Sequence, residues 1–139
     1  MKMVVQIPAL NEEKTLADVI ARIPRDIPGV DTVKVVVVDD GSTDRTSEIA
    51  REAGAHVVRH GARRGVGAAF RSGLEASADL DADVIVTIDA DGQFDPRDIP
   101  AVAGPILRGE ADFATASRFL DPAFEPEMPS AKRWGNAMI

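Results

Sequence analysis

Residues 33–44 read VKVVVVDDGSTD, and the fold follows from how that stretch is built. A strand with one solvated face alternates apolar and polar side chains. Here Val35 to Val38 run without a break after Val33. Such β-branched continuity suits a strand covered on both faces, as in a parallel sheet lying between helices. The run ends in Asp39-Asp40-Gly41-Ser42, which has the composition of a turn leading into a helix cap. Reading outward, the same grammar recurs. Met3–Ile7 leads into IPALNEE (7–13), His56–Val58 is a third short run, and Val84–Ile88 opens VTIDADGQ (86–93).

Helical patterns separate these runs. Glu12–Ile23 places Leu16, Val19, Ile20 and Ile23 on one stripe, and Pro24 stops it. Thr43–Ala53 begins after the cap-competent Ser42 and ends at Gly54. Val66–Ala78 spaces Val66, Phe70 and Leu74 four apart, the spacing of one helix face. Pro96 after Asp95 opens a further helix, Gly109 closes it, and a fifth short strand is expected at Asp112–Ala116. The alternation predicts an α/β fold: a mostly parallel sheet flanked by helices, with right-handed crossovers. Residues 1–119 form the expected domain. Residues 120–139 carry three prolines and no periodicity, and read as an irregular tail or the opening of a further region.

The chain's 139 residues suit one domain. Sixteen Lys and Arg against 23 Asp and Glu leave a net charge of −7, which argues against a nucleic-acid binder. A nucleotide ligand stays open, because a metal ion can supply positive charge locally. With no Cys, disulfides, thiolate metal sites and a cysteine nucleophile are excluded. No run approaches the roughly 18 apolar residues of a membrane span, so a cytoplasmic location is expected. An aromatic share of 4% with no Tyr weakens any base-stacking platform.

In open α/β sheets ligands collect beyond the carboxyl ends of the strands, where three polar motifs of this chain fall. Asp89 and Asp91 are two apart at a strand end, so both carboxylates can lean to one side. Hard oxygen donors suit Mg²⁺ or Mn²⁺, and Gln93 adds a neutral carbonyl. The bland alternative is an acidic turn of solvated caps, but its position after a buried VIVTI run favours the metal reading. Of Asp39 and Asp40, one carboxylate can meet a nucleobase N–H or ribose hydroxyls while the other braces the loop. Ser42 and Asp44 read as an N-cap and a first-turn acid. Pro8 fixes the exit from the first strand and Asn11 caps the helix after it. Glu12 either faces a ribose or decorates that helix's first turn.

The stretch 59–73 is a basic island holding Arg59, Arg63, Arg64 and Arg71 without one acid. Gly65-Val66-Gly67 at a helix start suits anions, although Phe70 stands where a dinucleotide fingerprint needs its third glycine. A solvated turn of arginines offsetting the acidic surface is the alternative. Arg118, just past the fifth run, is the better single candidate for the crevice. His56 and His60 lack metal-ligand spacing and read as an ordinary strand-end pair.

These three strand-end motifs, in this order, resemble the family-2 glycosyltransferases of GT-A fold. The similarity is to the dolichol- or polyprenol-phosphate mannosyl- and glucosyltransferase branch, and it runs from about Val4 to Phe119. The resemblance implies that Pro8, Ala9 and Glu12 line the base and ribose, with Asp39 on the nucleobase and Asp40 in the same nucleotide-sugar site. It implies that Asp89 and Ala90 contact the nucleotide, that Asp91 and Gln93 hold the divalent metal beside Asp89, and that Arg118 faces a diphosphate or acceptor phosphate. Arg64–Gly73 resembles the family's glycine-rich third motif. Leu10 stands where that branch commonly carries an aromatic residue. Such catalytic domains also continue beyond this length, so the stretch corresponds to the nucleotide-binding half without the acceptor half.

The implied activity is inverting transfer from a UDP- or GDP-sugar with Mn²⁺ or Mg²⁺, to a polyprenyl phosphate or a glycan. An acceptor phosphate needs little deprotonation; a sugar hydroxyl needs a general base, for which no residue stands out. A homo-oligomer and peripheral contact with the cytoplasmic face of a membrane are compatible with this. Two competing readings differ in class. VIVTIDADG also resembles the nucleophile strand of haloacid-dehalogenase-type phosphatases, but it is the fourth run and Gln93 replaces the expected Thr or Val. The other is a nucleotide-sugar-binding domain without turnover.

Overall fold

The computed structural model describes residues 1–116, so Arg118 and the 120–139 stretch lie outside the described residues. Four strands and four helices alternate along it: β1 (Lys2–Ala9), α1 (Leu16–Arg22), β2 (Thr32–Asp39), α2 (Thr46–Glu52), β3 (His56–Arg59), α3 (Val66–Asp79), β4 (Val84–Thr87) and α4 (Ile99–Leu107). A 3₁₀ turn at Pro96–Asp98 leads into α4. The strands form one sheet in the order β3-β2-β1-β4, every pair parallel. In register, Val5 of β1 lies between Val35 of β2 and Val86 of β4.

The valine run behaves as its composition requires. Val35 and Val37 face one side of the sheet with Met3, Val5 and Ile7, under α1, α2 and α4. Val36 and Val38 face the other side with Val4, under α3. Both layers exclude water, and each fully buried valine contributes about 1.5–2 kcal/mol of transfer free energy.

Two expectations need correction. The stripe of Val66, Phe70 and Leu74 on α3 is exposed, at 78%, 42% and 37%. The helix buries Ala69, Gly73, Ala76 and Ser77 instead. The reason lies underneath: Gln6 of β1 is fully buried beneath α3 and donates from Nε2 to Thr87 Oγ1 at 2.7 Å. A Cβ at position 73 would stand 1.9 Å from Gln6 Oε1, so only a small face lets the helix come this close. The second concerns Asp112–Ala116, which forms no strand. Phe113 is 82% exposed, so the segment's alternation buries no apolar face and gains nothing from extended pairing.

These contacts make opposite forecasts for two glycines of one helix. Gly73→Ala should destabilise by about 2–3 kcal/mol through overpacking on Gln6. Gly67→Ala meets no atom within 4 Å, and should stabilise by about 0.5–1 kcal/mol through helix propensity. Denaturant melts of the two variants beside the parent check both signs.

Candidate functional site

The parallel order brings the carboxyl ends of β2, β1 and β4 side by side on one sheet edge, and their loops are tied together there. The Asn11 amide donates to Ser42 Oγ and the Glu12 amide to Thr46 Oγ1, both at 2.9 Å. The Thr43 amide donates to Asn11 Oδ1 at 2.9 Å, and the Glu13 amide to Asp44 Oδ2 at 3.2 Å. On the other side Thr15 Oγ1 donates to the Ala90 carbonyl at 2.8 Å, and also lies 3.1 Å from Glu12 Oε2. Asn11 and Ser42 therefore join the first two loops rather than capping α1 and α2. Cross-loop amides compete successfully for their oxygens, and Asn11 takes a left-handed φ of 56° to reach its partners. Asp44 does act at its helix start, accepting from the Thr46 amide at 2.9 Å.

The two acids ending β2 are internal braces. Asp39 is fully buried: Oδ1 accepts from the Ser42 amide at 2.7 Å and Oδ2 from the Ser47 hydroxyl. Asp40 is also buried and gathers the turn after β3. Its Oδ1 accepts from the Arg64 amide at 2.8 Å and its Oδ2 from the Gly65 amide at 2.8 Å. His60 Nδ1 lies 2.7 Å from Asp40 Oδ1, and Nε2 lies 2.9 Å from Ser72 Oγ on α3. The ring thus links the acid ending β2 to α3 through both of its nitrogens. Burial by itself would raise both carboxyl pKa values. For Asp39 the Ser42 and Ser47 hydrogen bonds, with the Arg59 charge, outweigh burial and lower it. For Asp40 the hydrogen bonds from His60 and the Arg64 and Gly65 amides do the same.

A cavity of about 150 Å³ opens beside this brace, lined by Pro8, Ala9, Leu10, Asp40, Arg63, Val66 and Ala69. Of the acid pair, Asp40 reaches its wall. Pro8 and Ala9 line it as well, while Glu12 is half-buried against Thr15. At the end of β4, Ala90 is buried and Asp89 and Asp91 are exposed. Asp91 Oδ1 accepts from the Gln93 amide at 2.9 Å. Among the described residues no group of three or more acids or histidines is preassembled around a metal. Two exposed carboxylates and an amide carbonyl nevertheless fit a hard divalent cation that completes its shell with water and phosphate oxygens. Sequence reasoning missed Arg63 as a cavity wall and His60 as a buried link. Both lie inside the basic island at 59–73, whose contiguity was the available signal.

Parallel strands in this order, with acid-bearing loops meeting at their carboxyl edge, define a GT-A-type, Rossmann-like fold. The glycosyl transferase family 2 model matches residues 4–138, and the chain belongs to that family. It is 39% identical over 132 residues to an uncharacterized protein of Methanocaldococcus jannaschii, covering 95% of this chain and 53% of that protein. It is 33% identical to the UDP-N-acetylglucosamine–dolichyl-phosphate N-acetylglucosaminyltransferase of Methanococcus voltae, covering 94% of this chain and 57% of that protein. Glucosyl-3-phosphoglycerate synthase from Mycobacterium tuberculosis, solved with Mn²⁺, UDP and glucosyl-3-phosphoglycerate, superposes with a TM-score of 0.61 at 36% identity. That match covers 78% of this chain and 40% of the synthase chain. The chain thus spans about half the length of the curated relatives it matches.

Because the folded-state pKa of Asp40 is lowered, its stabilisation is fully present above the ordinary carboxylate pKa of about 3.9 and is lost as pH falls through the lowered value. Asp40→Ala orphans two amides and one imidazole, and should cost about 2–4 kcal/mol at pH 7. The parent should lose stability below about pH 4, and the variant should lose less over the same interval. Chemical denaturation between pH 2.5 and 7 measures both.

Proposed function

We propose that the chain binds a UDP- or GDP-sugar through Mn²⁺ or Mg²⁺ and transfers the sugar, with inversion, to a polyprenyl phosphate. The observation carrying this reading is the tying of three acid-bearing loops to one another at the carboxyl edge of adjacent parallel strands. The M. tuberculosis synthase solved with Mn²⁺ and UDP, and the M. voltae enzyme named for a dolichyl-phosphate acceptor, support the choice of ligands.

Residue roles follow from position. The cavity beside Pro8, Ala9 and Asp40 takes the nucleoside, and a base N–H approaching the acid pair meets Asp40 before the enclosed Asp39. Glu12 stands at the ribose side. Asp91, Asp89 and Gln93 hold the cation, and Ala90 contacts the nucleotide while Thr15 fixes its carbonyl. A cation bound there offsets the charge that grows on the diphosphate as the anomeric C–O bond breaks. Arg118 is the proposed phosphate contact. An acceptor already ionised as a phosphate needs no strong base to attack. A homo-oligomer and action at the cytoplasmic face of a membrane complete the proposal; no described helix is long and apolar enough to cross a bilayer.

Asp91→Asn removes half the anionic charge of the Asp89–Asp91 pair without changing its shape. Titration calorimetry with UDP and GDP should show affinity that needs Mn²⁺ in the parent and falls at least 30-fold in the variant. Equal affinities would remove the metal site. Release of UDP or GDP from sugar donors that depends on added polyprenyl phosphate tests transfer; donor binding without such release would favour a binding domain.

A further inference from the structure

Two anomalies of the surface coincide on α3. The first is apolar. Apart from Met1 and Phe113, the exposed large hydrophobic residues among those described are Val66, Phe70 and Leu74. They stand four apart, and therefore form one stripe along a 14-residue helix. The second is electrostatic. Among the described residues, arginine side chains normally find partners: Arg22 with Asp18, Arg45 with Glu48, Arg97 with Asp95, Arg108 with Glu110, and Arg59 with the Ser42 carbonyl. Arg25 and Arg51 donate to backbone carbonyls. Among the described residues, the side chains of Arg63, Arg64 and Arg71 make no hydrogen bond or ion pair. All three belong to α3 or to the turn leading into it, inside a 15-residue stretch (59–73) that contains no acid.

A chain with a net charge of −7 has acids enough to pair every arginine. Leaving three together without partners, beside an uncovered apolar stripe, forgoes both ion pairing and burial at one place. The chemistry that satisfies both is an anionic lipid surface: headgroup phosphates for the guanidinium groups, and the acyl boundary for Val66, Phe70 and Leu74. Arg71 follows Phe70 by about 100° around the helix, so cation and aromatic ring can reach a planar surface together. Glu75, one turn beyond Arg71, lines a shallow cavity with Arg64 and Arg71 and marks where the basic character of the helix ends.

We propose that the first half of α3 and the turn before it form a docking surface for an anionic lipid bilayer. Docking itself stands on this surface alone. Its tie to transfer rests on the proposed donor site, because Arg63 and Val66 belong both to the patch and to the cavity beside Asp40. A bilayer held there lies next to the crevice in which an acceptor phosphate would be glycosylated.

Sedimentation of the full chain with vesicles tests this, using phosphatidylcholine alone and phosphatidylcholine with 30 mol% phosphatidylglycerol, at low and high salt. Binding is expected only with the anionic vesicles, and to weaken as salt rises. Arg64→Ser with Arg71→Ser should lower the partition coefficient about 30-fold, and Phe70→Ser roughly ten-fold. Arg45→Ser with Arg108→Ser, the same charge change away from α3, should alter it less than three-fold. Because the chain has no cysteine, a dye on Leu74→Cys reports the stripe cleanly and should shift to the blue only when anionic vesicles are added. Equal binding to neutral vesicles, no binding to anionic ones, or full binding by the Arg64/Arg71 variant overturns the proposal. So does a dye already blue-shifted without lipid, which would mean that protein covers the stripe. Calorimetry with UDP and Mn²⁺ on the same samples shows separately whether the donor site is intact.

Discussion

Two buried carboxylates at the end of β2 hold this site in shape. A loop carrying ligand-binding groups has to leave the sheet and still keep a fixed form, and backbone amides in such turns need acceptors. Asp39 supplies them for the turn at 42–47 and Asp40 for the turn at 60–65. Each carboxylate stays ionised against burial because it accepts several donors at once. Gly41 between them and the next turn permits this closeness: a Cβ there would lie 2.7 Å from both Ala62 C and Arg63 N. The brace and the cavity wall are thus one structure, and Arg63 stands where the Asp40 hydrogen bonds put it.

The opposite sheet face follows a second constraint. Gln6 is a polar residue in an otherwise apolar layer, and α3 accommodates it by presenting Gly73. A helix that buries only Ala, Gly and Ser along its sheet-facing side approaches closely, but turns its larger apolar residues outward. Close packing under α3 and an exposed stripe on it are therefore two consequences of the same choice of residues.

These physical differences decide what could be read from sequence. Strands were legible because an unbroken β-branched run is favourable chiefly where both of its faces are covered, as Val35–Val38 are; VIVTI also begins a strand, but as the end strand of the described sheet it buries only Val84 and exposes Thr87. The acid pair after β2 was legible as a class, since adjacent carboxylates after a buried strand are costly without a purpose. Their division of labour was not. Nothing in DDGS says that Asp39 turns inward to Ser47 while Asp40 reaches across to the turn after β3, because that depends on a parallel pairing with β3 that no local pattern encodes. His60 looked ordinary for the same reason: its partners Asp40 and Ser72 are 20 and 12 residues away. The α3 stripe misled because periodicity identifies an apolar face without saying whether the sheet beneath has room for it. Asp112–Ala116 had strand-like alternation but no neighbouring strand to reward it.

Charge is divided along the same edge that organises the loops. β1 leaves the sheet between β2 and β4, and its Pro8-Ala9 exit separates two fields of opposite sign. On the β4 side Asp89 and Asp91 are exposed and attract cations. On the β3 side the acids are buried and hydrogen-bonded, and Arg63, Arg64 and Arg71, unpaired among the described residues, supply the exposed charge. A bare polyanion would be drawn to the arginines and repelled by the carboxylates, and a simple cation would do the reverse. Neither kind of ion is favoured along the whole of that edge. The difference between the two sides is one of exposure: the aspartates ending β2 are buried among their donors, whereas Asp89 and Asp91 face solvent.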